Sequence, residues 1–401
     1  MISSDLRDAI KAKIQDFLPQ VREFRHICHQ HPERTWEEVE TSSRVAKKLE
    51  AIDGLELETG VGKYGVVGLL KGGQPGPVVA LRADMDALPL DELNSLPYKS
   101  KNQGTMHACG HDGHMANLYG TALVLSHLRE HIRGTVKFIF QPAEEGGAGA
   151  DRMCDDGVLE NPKVDVIFGM HGWPEAKSGS VWVKDGPLMA ANSQFKIVVR
   201  GVGCHAAMPH LGTDQVLVAA RIIDSLQSVS SRSIAPTEPI ALTIAKIQAG
   251  TAHNIIPREV TLEGTLRTVS DDSYQRVEAT MKRMVAGICE AHGVEGDLSF
   301  QPIYPETRNH TEPTDFVENV ASACLGLENF KGIEAPSMGA EDFSFYLKKV
   351  PGCFFFLGLD DGRVGGYPAL HHPEFDYNDD VLPVGIELFS TLALAYESYK
   401  G

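Results

Sequence analysis

Between Pro77 and Trp173 the sequence repeats one pattern three times, in which a short apolar segment runs directly into carboxylates or a histidine. The three segments read PVVALRADMD, VKFIFQPAEE and VDVIFGMHGW. Short apolar runs rich in Val, Ile and Phe predict buried β-strands. Between the first two, apolar residues from Met115 to Leu125 recur at helical spacing, which predicts a helix. Alternating strands and helices indicate an α/β fold with a central sheet flanked by helices.

The polar residues that follow these strands are candidates for a functional site, because active groups in α/β sheets lie just beyond the carboxyl ends of the strands. Glu144 and Glu145 follow the second strand, and His171 follows the third. We expect these two strands to lie side by side, which brings the three side chains together. Any one of them alone is more often a surface or packing residue, so their shared position is what indicates function.

The segment MHACGHDGHM, residues 106–115, holds a cysteine and several histidines within ten positions. Cys109 and His111 come just before the predicted helix, and a helix N-terminus lowers the pKa of a thiol and favours the thiolate. From these residues alone two interpretations stay open. The segment is either part of a metal site or a reactive thiol with a histidine as its base.

From about residue 190 the pattern changes to β-α-β-β-α-β, which predicts a ferredoxin-like unit over 190–305. Its elements are a strand in SQFKIVVRG, a helix capped by Thr213 or Asp214, strands in PIALTIAKIQAG and REVTLEGTLRTV, a helix from about Asp272 to His292, and a strand near DLSFQPIY. Strand and helix signals return in CFFFLGL and in a long helix from about Val381. We therefore predict a catalytic domain made of 1–189 and 306–401, interrupted by an inserted domain over 190–305.

Composition and charge argue against several classes of partner. The formal net charge is −17 and no run of Lys or Arg exceeds two, so nucleic acids and anionic membranes are poor partners. The N-terminal segment lacks the apolar core of a signal peptide, and no apolar run is long enough to cross a bilayer. The seven cysteines form no CxxC pair, which argues against a disulfide framework. We expect a cytoplasmic protein that acts on a small molecule.

The candidate ligands indicate a catalytic metal site rather than a structural one, because zinc-finger spacing is absent and the residues come from separate segments. They are Asp84, Asp86, Cys109, His111, His114, Glu144, Glu145, His171, His371 and His372. Thiolate and imidazole ligands favour Mn²⁺, Zn²⁺ or Co²⁺ over Mg²⁺ or Ca²⁺. Two adjacent carboxylates can divide the work, one holding a metal and the other moving protons.

The chain resembles the di-metal amidohydrolases of the aminoacylase/carboxypeptidase family, in the branch with hippurate hydrolase, N-acyl-amino-acid amidohydrolases and auxin-conjugate hydrolases. The motifs that carry the resemblance are CHQHPERTWEEVETS, LRADMDALPL, MHACGHDGHM, FQPAEEGGAGA, GMHGWP, GVGCHAAMPH, AHNIIP, MGAEDFSFY and LHHPEFDYND, in this order nearly from end to end. The resemblance implies a catalytic domain with a central mixed sheet and an inserted lid that often serves as a dimer surface. Trp36 departs from the pattern, since many relatives carry Gly or Phe there. If that segment lines the acyl pocket, the acyl preference differs.

By position, the resemblance implies two divalent metal ions, with manganese expected first and zinc, cobalt or nickel as alternatives. The family's metal ligands fall on Cys109, His111, Glu145, His171 and His371, and the cysteine is expected to bridge the two metals. Glu144 is then the general base. Asp86 is a supporting residue that holds the tautomer of a ligand histidine.

Other positions take smaller parts in this interpretation. His205 and Asn254, in the inserted domain, resemble groups that meet the substrate carboxylate or the developing oxyanion. Asp84, His114 and His372 are not assigned to metal, and His114 is expected to be structural. Glu341 and Asp342 stay unassigned, since N-capping of a short helix explains them equally well.

The resemblance predicts a metal-dependent amidohydrolase that cleaves an N-acyl amino acid to a carboxylic acid and a free amino acid. A metallo-carboxypeptidase or dipeptidase acting on small peptides is the alternative. A cysteine amidase that uses Cys109 as nucleophile leaves the other candidate ligands without a role. An inactive binding protein on the same fold is expected to lack the base or a ligand, and none is missing. We also expect a homodimer or higher homo-oligomer through 190–305, because that unit has an exposed face and edges.

Overall fold

The computed structural model describes residues 2–400 of the chain. Within them the helices are α1 (Ser4–Gln30), α2 (Val39–Glu50), α3 (His111–Ser126), α4 (Gly149–Asp155), α5 (Gln215–Ser228), α6 (Asp271–Ala291), α7 (Thr311–Leu325), α8 (Ser344–Leu347) and α9 (Leu382–Lys400). The strands are β1 (Leu55–Val61), β2 (Gly65–Lys71), β3 (Gln74–Asp84), β4 (Arg133–Gln141), β5 (Val166–Lys177), β6 (Val181–Val183), β7 (Gly186–Met189), β8 (Ala191–Arg200), β9 (Cys204–His205), β10 (Ile240–Ala249), β11 (Ile255–Ile256), β12 (Glu259–Thr268), β13 (Glu295–Tyr304), β14 (Thr307–Asn309), β15 (Phe330–Gly332) and β16 (Gly352–Asp360).

The described residues form two compact units. Unit 1 takes in the chain up to Leu188, the segment Arg308–Glu334 and the chain from Asp342 onward. Unit 2 consists of Met189–Thr307 together with the short segment Ala335–Glu341. Unit 2 is therefore inserted within the sequence of unit 1, and a second short piece of chain belongs to it.

Unit 1 is built on an eight-stranded mixed sheet in the order β1-β2-β4-β3-β5-β16-β6-β15. The central strands β4, β3, β5 and β16 are parallel, while β1, β2 and β4 pair antiparallel, as do β6 and β16. This confirms the predicted mixed sheet.

One expectation about this sheet is wrong, because β4 and β5 are not direct neighbours and β3 lies between them. The chain continues from β3 to β4 on one side and later adds β5 on the other side. This reversal of winding opens a crevice at the carboxyl end of β3, which is where α/β sheets bind ligands.

Unit 2 contains a four-stranded antiparallel sheet in the order β10-β12-β8-β13. With α5 and α6 in their chain positions, this is the split β-α-β order of a ferredoxin-like fold. Apolar side chains from one face of the sheet, such as Ile197 and Leu262, form a core with Ile222 of α5 and Met281 of α6. Helix α5 begins as expected, since the Asp214 side chain accepts a hydrogen bond from the Leu217 amide.

Two helices of unit 1 are buried to an unusual degree. Every residue of α3 from His111 to Leu125 is buried, so its single predicted apolar stripe understates a helix that is enclosed on all sides. Residues 379–399, which include all of α9 except its last residue, are long and apolar enough to cross a membrane by length and composition. Because 78 % of the most apolar stretch of this segment is buried inside the protein, the segment has the character of a core helix.

A buried charged cluster fastens the start of α3 to α1. The Arg25 guanidinium lies 2.9 Å from the Asp112 carboxylate and 3.0 Å from Asp376. The Nδ1 atom of His29 lies 2.9 Å from the same Asp112 carboxylate. Burial opposes protonation of His29, yet Asp112 and Glu92 raise its pKa to about 9. The N-terminus of α3 is therefore held by a protonated histidine and an arginine.

Candidate metal centre

The five predicted metal ligands all lie in unit 1, close to the end of β3. Cys109 and His111 stand at the start of α3, Glu145 follows β4, and His371 lies between β16 and α9. His171 lies within β5 rather than after it. Their ligand atoms form two groups in which all atoms lie within 4.8 Å of one another: Cys109, His111 and His171, and Cys109, Glu145 and His371. Cys109 is common to both groups.

The ligand atoms of these side chains face one another at short range. The Sγ atom of Cys109 lies 3.3 Å from Nε2 of His171, and Nε2 of His371 lies 3.4 Å from Oε1 of Glu145. The Nε2 atom of His111 lies 4.0 Å from the same Glu145 oxygen. Nε2 of His111 and Oε1 of Glu145 are buried, yet neither makes a hydrogen bond within residues 2–400. Buried polar atoms without partners are costly, so this donor set fits a divalent cation.

Two glycines explain how MHACGHDGHM can turn sharply into the start of α3. Gly110 precedes α3 with φ +84°, a backbone conformation that side chains with a Cβ rarely adopt. A Cβ on Gly113 would lie 2.3 Å from the Tyr377 ring, so only glycine lets that ring pack against the helix start. The motif therefore places Cys109 and His111 on either side of a left-handed residue.

The ring nitrogens of the histidines are assigned by their partners. In His171, Nδ1–H donates to the Gly172 carbonyl at 2.7 Å, which leaves Nε2 free toward Cys109. In His111, Nδ1 lies 3.3 Å from the Asp86 carboxylate. Carboxylates and carbonyls in such positions orient metal-ligating imidazoles. Asp86 thus lies beside His111, the histidine whose tautomer it is predicted to hold.

Asp86 also holds the turn that follows β4. Its Oδ1 accepts the Glu144 amide at 3.0 Å, and its Oδ2 accepts the Glu145 amide at 2.9 Å. The Thr35 hydroxyl lies 2.8 Å from the same Oδ2. Burial opposes ionisation of Asp86, but the nearby His111 ring and these donors lower its pKa below the ordinary value. Asp86 is therefore an ionised acceptor that fixes Glu144 and Glu145 together.

Glu144 lies beside the ligands. Its carboxylate is within 4.8 Å of the ligand atoms of His111 and Glu145, and its Oε1 lies 3.4 Å from the Asp342 amide. The Asp342 carboxylate does not cap α8, because the N-cap residue of α8 is Phe343 and no side chain caps it. Asp342 accepts hydrogen bonds from Arg82 at 3.0 Å and from the amide of Ala150, in the first turn of α4, at 2.9 Å. MGAEDFSFY thus reaches the site through the backbone of Asp342.

Asp84 and His114, which were not assigned to metal, are occupied by other partners. The Arg82 guanidinium lies 2.7 Å from Asp84, and Nδ1–H of His114 donates to the other Asp84 oxygen at 2.7 Å. The Nε2 atom of His114 accepts the Gly172 amide at 2.8 Å. Both nitrogens of His114 are therefore used within the protein, and burial keeps its pKa below the ordinary value.

The expectation that the helix N-terminus favours a Cys109 thiolate is wrong, because the surroundings of the thiol oppose its ionisation. Burial, together with Glu145 and Glu144, raises the pKa of the Cys109 thiol well above the ordinary value. Burial would lower the pKa of His111, but Asp84 and Asp86 raise it to about 10. The surroundings of both side chains therefore favour their protonated forms. Burial and the full negative charges of the neighbouring carboxylates outweigh the helix end at Cys109.

His371 and His372 take different positions. The His371 amide donates to the carbonyl of Ala108 at 2.8 Å, and the residue has φ +65°, which turns its ring toward Glu145. The Nδ1 atom of His372 instead accepts the Glu374 amide at 3.1 Å. The His371 ring thus lies beside Glu145, whereas the His372 ring is engaged by the backbone of its own segment.

The two predicted substrate-binding residues lie together in unit 2. His205 is in β9 and pairs with Ile255 of β11, while the Ala206 amide donates to the Asn254 carbonyl at 3.0 Å. Both residues line a cavity of 780 Å³ that also includes Arg258. His205 belongs to a short two-stranded arm, and Asn254 lies in the turn that directly precedes β11.

Sequence reasoning missed several residues around the site. Thr35 and Glu38, in HPERTWEE, contact the Asp86 carboxylate and the Ala143 amide respectively, and burial next to Asp86 raises the pKa of Glu38 to about 7. Arg82 is buried and contacts both Asp84 and Asp342. A charged residue within the apolar strand PVVALRAD was the available signal for Arg82. For Thr35 and Glu38, the only signal in the sequence was that their segment, HPERTWEE, belongs to a motif of the resemblance.

A family model described as peptidase family M20/M25/M40 matches residues 80–395 of the chain. Three curated relatives are similar over nearly their whole length. The N-acetylcysteine deacetylase of Bacillus subtilis is 40 % identical, covering 92 % of this chain and 95 % of its own. Thermostable carboxypeptidase 2 of Saccharolobus solfataricus is 37 % identical, covering 98 % and 100 %. The IAA-amino acid hydrolase ILR1-like 4 of Arabidopsis thaliana is 39 % identical, covering 96 % and 87 %.

Solved structures agree with these matches. A Bacillus subtilis protein, described as a dinuclear metal-binding peptidase of the M20 family, superposes with a TM-score of 0.83 at 35 % identity, covering 96 % of this chain and 99 % of its own. A protein of methicillin-resistant Staphylococcus aureus, named provisionally as an aminohydrolase, gives a TM-score of 0.91 at 32 % identity, covering 98 % and 100 %. These matches confirm the predicted fold class and family resemblance.

The proton occupancy of the site predicts how metal affinity depends on pH. Because Cys109 and His111 must lose protons before they bind a cation, apparent affinity for Mn²⁺ should rise with pH between about 6 and 9, with roughly two protons released per protein. Calorimetric titration in buffers of different ionisation enthalpy measures this release. Cys109→Ser should release about one proton fewer, whereas His372→Asn should behave like wild type. Metal binding that is independent of pH would contradict the assignment.

Proposed function

Since the chain belongs to peptidase family M20/M25/M40 and is a hydrolase of amide bonds, we propose that it cleaves N-acyl amino acids to a carboxylic acid and a free amino acid. One observation carries the proposal: two groups of ligand atoms share Cys109, and the Glu144 carboxylate lies beside them. A shared thiol between two ligand groups suits a pair of cations. An adjacent carboxylate that is not needed as a ligand suits a general base.

The metal site is proposed for two divalent cations held by Cys109, His111, Glu145, His171 and His371. Manganese is the expected metal, with zinc, cobalt and nickel as the alternatives. A bound divalent cation supplies Lewis acidity, which polarises a carbonyl group and makes water more acidic. The mixed thiol, imidazole and carboxylate donors support this choice over Mg²⁺ or Ca²⁺.

Glu144 is proposed to move the proton of the reaction. Its carboxylate takes a proton from the attacking water, whose oxygen bonds to the amide carbon. It then delivers that proton to the nitrogen, and the carbon–nitrogen bond breaks. General acid–base catalysis of this kind contributes about 10²–10⁴ in rate. Asp86 supports the step because it accepts the Glu144 amide and lies beside Nδ1 of His111.

His205 and Asn254 are proposed to contact the substrate carboxylate or the oxyanion that develops at the carbonyl. Their position in one cavity of unit 2, together with the cation Arg258, supports binding of an anionic group there. These contacts do not determine which acyl group the site accepts. Trp36, which departs from the family pattern, is half-buried and directly follows Thr35, the residue that contacts Asp86.

A peptidase is the second candidate, because thermostable carboxypeptidase 2 is similar over 98 % of this chain. A thiol nucleophile is disfavoured, since Cys109 is buried and its thiol pKa is raised. An inactive binding protein is disfavoured because all the proposed ligands and Glu144 are present in one cluster. The cytoplasmic location stays a prediction.

A substrate panel tests the proposed reaction. We expect Mn²⁺-loaded protein to hydrolyse N-acetyl, N-benzoyl or indole-acetyl amino acids faster than dipeptides with a free amino group. Dialysis against a chelator should abolish turnover, and added Mn²⁺, Co²⁺ or Zn²⁺ should restore it. Faster cleavage of the dipeptides would favour the peptidase. Full activity in a verified metal-free preparation would contradict the metal requirement.

The two adjacent glutamates should respond differently to substitution. Glu144→Gln removes the proposed base and should lower kcat by at least about 10²-fold while metal content is kept. Glu145→Gln weakens a proposed ligand and should lower metal content. Exposed Glu130→Gln is the control and should change neither quantity. Metal analysis and kinetics measure both quantities for each variant. Loss of metal in Glu144→Gln, with metal kept and kcat lowered in Glu145→Gln, would show that the two roles are exchanged.

A homodimer through unit 2 is proposed from its exposed apolar side chains. Val202, Met208, Leu211, Leu217 and Ile255 are each between 47 % and 62 % exposed. Their segments are hydrogen-bonded neighbours: the Thr213 amide donates to Val202, the Leu211 amide to Met208, and His205 pairs with Ile255. A cluster of exposed apolar side chains on one unit indicates an interaction surface.

Charged substitutions test this dimer. Leu211→Glu combined with Leu217→Glu should convert the protein to a monomer, because a buried unpaired carboxylate is costly at an interface. Leu327→Glu, at a 77 % exposed leucine of unit 1, is the matched control. Sedimentation velocity at micromolar concentration reports the state of each protein. A wild-type monomer under these conditions would contradict the proposal.

A further inference from the structure

The turn after β4 directs three consecutive backbone amides at two carboxylates. The Ala143 amide donates to Glu38 at 2.7 Å, and the Glu144 and Glu145 amides donate to Asp86 at 3.0 and 2.9 Å. The family resemblance implies a supporting role for Asp86 and none for Glu38. One of the three amides that present the glutamate pair therefore depends on a residue without an assigned function.

The backbone of this turn needs such support. Ala143 has φ +57°, although it is not a glycine, and residues in this region persist only where the surrounding contacts determine them. The turn is also tight, since a Cβ on Gly149 would lie 1.7 Å from the Pro142 carbonyl oxygen. Ala143 directly precedes Glu144, so a relaxation of its backbone would move the Glu144 carboxylate.

Glu38 is not used as a helix cap, although it is the N-cap residue of α2. Its side chain makes no capping hydrogen bond. The amides of Glu40 and Thr41 donate instead to the Glu33 carboxylate, at 3.1 and 2.6 Å. Glu38 is fully buried, and its Oε1 is directed at Ala143. Burial of a carboxyl group is costly, so a contact with the site explains its position better than α2 does.

The loop that carries Glu38 also contacts Asp86, the other carboxylate that holds the turn. The Thr35 hydroxyl lies 2.8 Å from Oδ2 of Asp86 and 3.1 Å from the Glu145 carbonyl. Residues 35–38 thus contact the turn at both ends, at Ala143 and at Glu145. This loop therefore packs against the turn that carries Glu144, the proposed base, and Glu145, a proposed ligand.

We propose that Glu38 is a positioning residue of the hydrolytic site, which holds the Ala143 amide and so sets the placement of the Glu144 carboxylate. The proposal rests on the proposed function for the roles of Glu144 and Glu145. What Glu38 supplies is an acceptor oxygen for Ala143. Glutamine offers the same oxygen in the same place, whereas leucine offers none.

Hydrogen exchange tests the hold on the turn without any assay of activity. In Glu38→Leu, exchange of the backbone amides of residues 143–145 should be at least about tenfold faster, because the local opening costs less free energy. Glu38→Gln should stay close to wild type. Glu37→Leu, at the exposed neighbour, is the matched control and should not change. Unchanged protection in Glu38→Leu would overturn the proposal, as would equal effects of Gln and Leu.

Kinetics tests the consequence for the reaction. Glu38→Leu should lower kcat about 10- to 100-fold with KM and metal content within about twofold, because a small displacement of a catalytic group is costly. Glu38→Gln should restore kcat to within a few-fold. An unchanged kcat in folded Glu38→Leu would overturn the positioning role. Where Glu38→Leu does not fold, Glu38→Asp, which is one methylene shorter, should show the same split between kcat and KM, and its absence would overturn the role.

The two arms separate failures. If wild type hydrolyses none of the N-acyl amino acids, the proposed function fails, and the exchange measurement alone decides whether Glu38 holds the turn. If wild type is active and exchange is faster in Glu38→Leu with kcat unchanged, the proposed function stands and the positioning role fails.

Discussion

The geometry of the site depends on the buried carboxylate of Asp86. It is 1 % exposed, and its two oxygens accept the amides of Glu144 and Glu145. A carboxylate can be buried only where hydrogen bonds replace its lost hydration, so the turn after β4 cannot move away without exposing an uncompensated charge. Asp86 follows β3, the strand at which the winding of the sheet reverses, and it lies 3.3 Å from His111 of α3. One anion therefore joins the strand end, the turn and the helix start.

A second layer of buried charge lies behind this carboxylate. Arg82 contacts Asp84 and Asp342, and Asp84 in turn holds His114. Buried ion pairs add little net stability, but removing one partner costs about 3–5 kcal/mol because the other charge stays buried. Such a network stabilises one arrangement rather than the folded state in general. Through Asp342, whose amide lies 3.4 Å from Glu144, that arrangement extends to the proposed base.

The sequence predicted much of the fold because its signals are local. Periodicity located β3, β4, β5 and α3, and the β-α-β-β-α-β order was readable from 190 to 305 without any contact being known. The ligand positions came from the motifs of the resemblance. Contacts between distant positions were not readable: Asp342 meets Arg82, 260 residues away, and Glu38 meets Ala143, 105 residues away. The raised thiol pKa of Cys109 was not readable for the same reason, since burial, Glu145 and Glu144 act on the thiol only in the folded chain.

The carboxylates that hold the turn, Glu38 and Asp86, differ in chemistry from the proposed metal ligands. The hydrogen bonds that shape the turn are therefore separate from the groups that would bind a cation. The surroundings of Cys109 and His111 favour their protonated forms, so protons would compete with a cation for these two proposed ligands. The amides of Ala143, Glu144 and Glu145 bind carboxylate oxygens that belong to neither ligand group. Metal binding therefore requires loss of protons but no rebuilding of the turn. Because the proposed base is carried on that turn, its position is set by hydrogen bonds to Asp86 and Glu38 before any cation arrives, which is the condition for a preorganised site.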